Sequence, residues 1–209
     1  MIANNAQTPF EPTPIHRVAA DVVCGVFNAI NKAVFDDDHL SRFTLFLPSP
    51  SHPDRIVPWC RFFKGCSDPF VEAQRSKASY QRGEGYTGMA WKDPETFLTA
   101  LFPRFESRAD FTQYYSERLG LANEVIQDIS DYMVNVQTII TYGFIDCQGM
   151  ITGVLSLDVQ RLIGEINTEQ SPLGRKVTTE IFGIEVQQLR PFIAVLNILL
   201  ESLQILKRR

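Results

Sequence analysis

From Pro14 onward the chain places apolar residues at helical spacing. Ile15, Val18, Ala19, Val22, Val23, Val26, Phe27, Ile30 and Val34 form one stripe, and Arg17, Asp21, Asn28 and Lys32 fall largely off it. Thr13-Pro14 is a start signal, with Thr13 as N-cap and Pro14 at the first helical position. The pattern predicts a helix over about 14–36. Residues 1–13 before it are polar, carry Pro9 and Pro12, and read as a flexible arm.

The period then changes. "FTLFL" (43–47) and "RIVPWCRFF" (55–63) are strand-like and flank the turn "SPSHPD", so they predict a hairpin. Pro58 marks an edge or a bulge. A short helix is expected over about 69–79. The segment 95–132 is mostly helical in pattern, broken near Pro103 and Gly120. "VQTIITYGFID" (136–146) and "MITGVLSLDVQ" (150–160) are two strong strands joined by a tight turn. Residues 168–174 read as loop, and a long helix over about 185–207 ends the pattern, with Lys207, Arg208 and Arg209 suiting its C-terminus. Hairpins between terminal helices indicate an α+β fold, a central antiparallel β-sheet flanked by helices. Residues 14–209 form one domain in this reading.

Composition narrows the function. The chain has 209 residues, 44% hydrophobic and 21% charged, with a formal net charge of −4. No basic excess is available for nucleic acid phosphates, so nucleic acid is not an expected partner. The most apolar run, "FIAVLNILLESLQIL" (192–206), is shorter than the ~20 residues a membrane span needs. Cys24, Cys60, Cys66 and Cys147 match no zinc spacing and read as reduced thiols, which suggests the cytoplasm. "FDDDH" (35–39) reads as a solvated helix end rather than a metal cluster. The pairs Glu106/Asp110 and Asp128/Asp131 read as exposed acidic faces, so no metal site and no catalytic residue is expected.

"RGEGYTGMAWK" (82–92) contains Gly83-x-Gly85-x-x-Gly88, the spacing of a phosphate-cradling loop. A dinucleotide site needs those glycines between a buried strand and a helix. Here "EAQRSKASYQ" precedes them and is polar, and "YTGMAWK" after them reads as a short strand ending at Asp93-Pro94. A kinase reading fails because no H-R-D or D-F-G is present. The glycines are expected to form a tight loop that lets backbone, or a ligand, approach closely.

Three stretches carry a family resemblance. "RGEGYTGMAWK" resembles the glycine-led strand of a GAF domain. "QTIITYGF" resembles the family's penultimate central strand, with Gln137 and Thr138 where Arg-Ser is usual and Gly143 and Phe144 where Pro-Leu is usual. "MITGVLSLDVQ" resembles the last strand, with Gly153-Val154-Leu155 and Asp158 in the family's Gly-Val-Leu and Asp places. That strand favours GAF over the PAS-like alternative. Motif-level likeness is confined to residues 83–91 and 136–160.

The resemblance implies a non-catalytic sensor or regulatory domain that binds a small molecule on one sheet face, dimerises through terminal helices and acts through an output domain or partner protein. The cyclic-nucleotide motif is not apparent; "NKAVFDDD" (31–38) shares only its composition. No cysteine is followed by His, as a bilin-linking cysteine would be, and His16, His39 and His52 sit where haem ligation is not expected, so the cofactor is unknown. GAF-like reductases of free methionine sulfoxide keep a cysteine in the glycine-led strand, and this chain has none there. Cys60 and Cys66, with Arg61 or Lys64 to stabilise a thiolate, are the remaining redox candidates. The expected pocket lies between the sheet and residues 95–132. Tyr86, Thr87, Trp91, Phe97, Phe105, Tyr115, Thr138 and Tyr142 are candidate lining residues, and Arg104 is a candidate cation for an anionic ligand. The competing reading is a structural dimerisation module whose aromatics fill that pocket. Phe192, Leu196, Leu199, Leu203 and Leu206 are spaced 4-3-4-3, a heptad seam that predicts a homodimer.

Overall fold

The computed structural model describes residues 12–34, 40–76, 78–119, 123–129, 131–160 and 183–207. The arm over most of 1–13, the "FDDDH" cluster, the break at Gly120, the 168–174 loop and the last two arginines lie outside them.

In chain order the elements are α1 (Pro14–Val34), β1 (Leu40–Pro48), β2 (Arg55–Phe62), α2 (Pro69–Gln74), β3 (Tyr80–Gln81) and α3 (Gly85–Lys92). Then follow β4 (Phe97–Leu101), α4 (Arg108–Leu119), α5 (Asn123–Asp128), a short 3-10 helix (Asp131–Asn135), β5 (Thr138–Ile145), β6 (Ile151–Val159) and α6 (Gly183–Lys207). The six strands form one antiparallel sheet in the order β3-β2-β1-β6-β5-β4. The fold is therefore α+β, as the pattern predicts. The register between β1 and β2 shifts at Leu45/Phe46, opposite Pro58, which is the bulge that proline signals.

Side chains alternate across the pleat, so each strand serves two cores. Phe43, Leu45, Phe62, Ile140, Leu155 and Leu157 pack under α1 and α6. Phe27, Phe43 and Phe62 meet there as an aromatic trio with centroids 6.1–6.3 Å apart. The opposite face is covered by α3, through Ala90 and Trp91 on Phe46, Leu98 and Val154, and by α4, whose Phe111 and Tyr115 pack with Ala100, Phe102 and Phe105. Arg108 ties α4 to α5 by donating to the Ile126 and Ile129 carbonyls at 2.7 and 2.8 Å. Among the described residues no helix is long and apolar enough to cross a membrane.

Three expectations are corrected. "YTGMAWK" is a helix, α3, not a strand: Gly88 N–H donates to the Glu84 carbonyl at 3.0 Å, and Asp93 N–H to Met89 at 2.9 Å. Its buried residues, Thr87, Gly88, Ala90 and Trp91, follow helical spacing, and the eight residues are too few for the period to stand out in sequence. Residues 97–101, expected to be helical, form β4, and all five are buried. A continuous apolar run has no period to read, and its short length between Pro94 and Pro103 favours the strand. In α6 the residues buried on the sheet side are Leu189, Ile193, Leu196, Leu200 and Leu203. The expected seam is thus split, with Phe192 and Leu199 only half-buried.

The glycine loop is structural in this fold. A Cβ at Gly88 would stand 2.1 Å from the Gln81 carbonyl oxygen, so only glycine lets α3 start directly against β3. Gly143 does the same from the sheet: its Cβ would meet the Ala90 carbonyl oxygen at 2.3 Å. Together they seat α3 flat on β5 and β6.

Candidate functional site

The α3/α4 side of the sheet carries a polar row. Arg61 on β2 pairs with Thr44 on β1, Thr44 with Ser156 on β6, and Ser156 with Thr141 on β5. Antiparallel partners share a face, so these four side chains run side by side across the centre of the sheet. The adjacent row pairs Arg42 with Asp158 and Asp158 with Ile139.

Asp158 and Arg42 form an ion pair, Nε to Oδ2 at 2.5 Å, with side-chain exposures of only 5% and 17%. Arg42 also lies 4.5 Å from the Tyr132 ring centroid and donates to Met133 Sδ at 3.2 Å. Burial pushes the Arg42 guanidinium down, but Asp158, Tyr132 and Tyr80 together outweigh it and the net direction is up. Arg61 donates from Nε to Thr44 Oγ1 at 3.2 Å and from Nη2 to Ser76 Oγ at 2.9 Å. No carboxylate among the described residues lies within ion-pair distance of it. Burial first, then the Arg42 charge, lower it to about 10.

Three tyrosines close around this row. Burial raises Tyr80, Tyr86 and Tyr115 above the ordinary phenol range, and Asp158 raises Tyr80 and Tyr115 further. All three are held neutral as donors. Ser156, on a central strand, stays 8% exposed where its neighbours Leu155 and Leu157 are at 1% and 0%.

The residues expected to line a pocket divide between the two faces. Tyr86, Thr87 and Trp91 lie on α3, Tyr115 on α4 and Phe105 just before it, all on the polar-row side. Tyr86 meets Phe102 at 6.4 Å between centroids, and Phe102 stacks on Tyr115 at 5.7 Å. Phe105 is buried against Phe111 at 5.2 Å and serves as core. Phe97, Thr138 and Tyr142 point to the α1/α6 face. There Phe97 and Tyr142, 4.8 Å apart, line a separate groove of about 370 Å³ with Arg190, Ile193 and Asn197 of α6. Arg104 is exposed.

Sequence reasoning missed Arg42, Thr44, Tyr80 and Ser156, and named Arg61 only as a possible stabiliser of a cysteine thiolate. A signal existed: Arg42 and Thr44, and Ser156 and Asp158, are polar at every second position of strongly apolar strands. The redox candidates are separated. Cys60 belongs to the row Cys60, Leu45, Leu155, Tyr142 on the α1/α6 face, opposite Arg61. Cys60 is fully buried, which pushes its thiol well up, and burial with Glu72 nearby raises Cys66 as well.

No family model matches the chain, and no curated protein matches it in sequence. Solved structures do match in shape. The GAF domain of a two-component sensor histidine kinase from Bacillus halodurans superposes with a TM-score of 0.52 at 9% identity, covering 90% of this chain and 97% of that one. The GAF domain/HD domain protein from Geobacter sulfurreducens gives 0.49 at 10% identity, over 90% and 94%. The type II free methionine-R-sulfoxide reductase from Thermoplasma acidophilum gives 0.43 at 10% identity, over 87% and 96%. The superposition on the histidine kinase domain shows a GAF-like fold, divergent in sequence.

Proposed function

We propose that this chain is a non-catalytic sensory or regulatory domain that binds a small molecule on the α3/α4 face of its sheet. The observation that carries this reading is the buried polar row. Arg61, Thr44, Ser156 and Thr141 stand side by side where a purely structural core would be apolar, with Tyr80 and Tyr115 on the same side of the sheet. Tyr86, Thr87 and Trp91 supply the α3 wall of the same site. The enzyme alternative needs a thiolate, and burial of Cys60 opposes one; that supports a binding role. The free thiols support a cytoplasmic setting.

Self-association is the second part of the proposal. Ile15, Val18 and Val22 on α1 and Val195 and Ile198 on α6 are exposed apolar side chains at helical spacing, and the two helices pack on each other. A second copy meeting this flank would bury them by symmetry and make a homodimer whose helices connect the site to an output partner.

A thermal-shift screen of the full chain against neutral and charged metabolites tests the binding reading. At about 100 times its dissociation constant a ligand adds about 2.7 kcal/mol of stability. A dose-dependent rise that is weakened in Ser156→Ala is the expected result. A chain that responds to nothing would instead be a dimerisation module, a reading favoured by the close Phe102, Phe111 and Tyr115 stacking.

A further inference from the structure

Ligand binding on the polar row leaves the chemistry of the ligand to be read from the side chains that face it. An arginine carries five N–H donors. Arg61 uses one on Thr44 and one on Ser76, and its remaining N–H groups have no acceptor among the described residues. Ser156, Tyr80 and Tyr115 likewise form no side-chain hydrogen bond among the described residues. Four side chains thus offer spare N–H or O–H groups on one face of the sheet.

The charge balance points the same way. The carboxylates that act on Arg61 are Asp158 and Glu72. Asp158 is engaged by Arg42 at 2.5 Å, and Glu72 by Arg75 at 2.6 Å. Glu84, near Tyr80, accepts from Arg55 Nη2 at 3.4 Å and from the Gln81 N–H at 2.8 Å. Each of these acids is thus held by another partner, and among the described residues half-buried Arg61 is left as one positive charge in excess. A cation partly withdrawn from water favours a counter-charge. Among the described residues no carboxylate pairs with Arg61 directly, and its spare N–H groups mark where an acceptor would belong.

We infer that the ligand of this site is an oxyanion, a carboxylate or phosphate group, held by the free Nη of Arg61 with the Ser156 and Tyr80 hydroxyls, its remaining body lying against the rings of Tyr86 and Tyr115. Arg61 suits the task because a guanidinium fork meets either group with two parallel hydrogen bonds. Arg42 does not serve, since Asp158 already occupies its Nε. This inference rests on the ligand-binding reading above and adds to it only the charge of the ligand.

Three probes of one shape separate the possibilities on the full chain: benzoate, phenyl phosphate and the neutral benzamide, each titrated by calorimetry and thermal shift at constant ionic strength. Benzoate or phenyl phosphate should bind at least about tenfold more tightly than benzamide, and the stronger of the two identifies the anionic group. Arg61→Met should abolish that preference with the far-UV circular dichroism unchanged, and Ser156→Ala should weaken anion binding while leaving benzamide untouched. If Arg61→Met does not fold, Arg61→Lys decides: it keeps the charge but loses the fork, and should weaken the anion by about tenfold. Benzamide binding as tightly as benzoate would overturn the inference and leave a neutral-ligand site standing. No binding of any probe would also overturn it, and the neutral half of the metabolite screen would then decide whether the site binds ligands at all.

Discussion

Arg42 and Asp158, 116 residues apart in the chain, face each other as cross-strand partners of β1 and β6 and join the two hairpins through a buried ion pair. Removing one partner strands the other charge out of water. Arg42→Met or Asp158→Leu alone should cost about 3–5 kcal/mol in urea unfolding. The double change Arg42→Met with Asp158→Leu should recover most of that loss. Full additivity of the two single changes would show that the pair is not coupled.

The close seat of α3 makes a second expectation. Gly143→Ala forces a methyl into the Ala90 carbonyl and should destabilise by about 1–3 kcal/mol through displaced backbone. Gly25→Ala in α1 has nothing within 4 Å of the new methyl and should stabilise by about 0.5–1 kcal/mol. Thermal denaturation of the two variants in parallel reads opposite signs.

Alkaline pH should unfold the domain through its tyrosines. Burial raises Tyr86 and Tyr115 above the free value of about 10. Below that value both states are protonated and this contribution to stability is fully present. Above it the unfolded chain loses protons that the folded chain keeps, so stability falls by about 1.4 kcal/mol per pH unit per tyrosine until the folded pKa is reached. Tyr115→Phe should make the decline shallower. A slope unchanged in Tyr115→Phe would mean that Tyr115 is solvated.

Thiol labelling separates the binding reading from the redox one. Cys147 is exposed and should react quickly with a disulfide reagent, whereas Cys60 should react only as fast as the protein unfolds. Rapid native-state labelling of Cys60 at neutral pH would reinstate a cysteine-dependent activity.

The proposed dimer depends on the outer flanks of α1 and α6. Val18 and Ile198 are 64% and 66% exposed, so replacing either by Glu should leave the fold intact and give monomers in analytical ultracentrifugation. Wild-type chain that sediments as a monomer would remove the dimer from the proposal.

What the sequence determined by itself were the elements with a long, clean period. The α1 stripe beginning at Thr13-Pro14, the β1/β2 hairpin with its Pro58 bulge and the β5/β6 pair each repeat one spacing often enough to be read, and together they define α+β. Tertiary structure decided the short elements and the site. Eight residues of α3 and five of β4 are too few to display a period, and their form follows from packing: Gly88 and Gly143 bring α3 against the sheet, and burial of every residue makes β4 a strand. The polar row is tertiary for a simpler reason. Arg61, Thr44, Ser156 and Thr141 sit on four strands far apart in sequence, and only the register of the sheet, which no local pattern encodes, places them side by side.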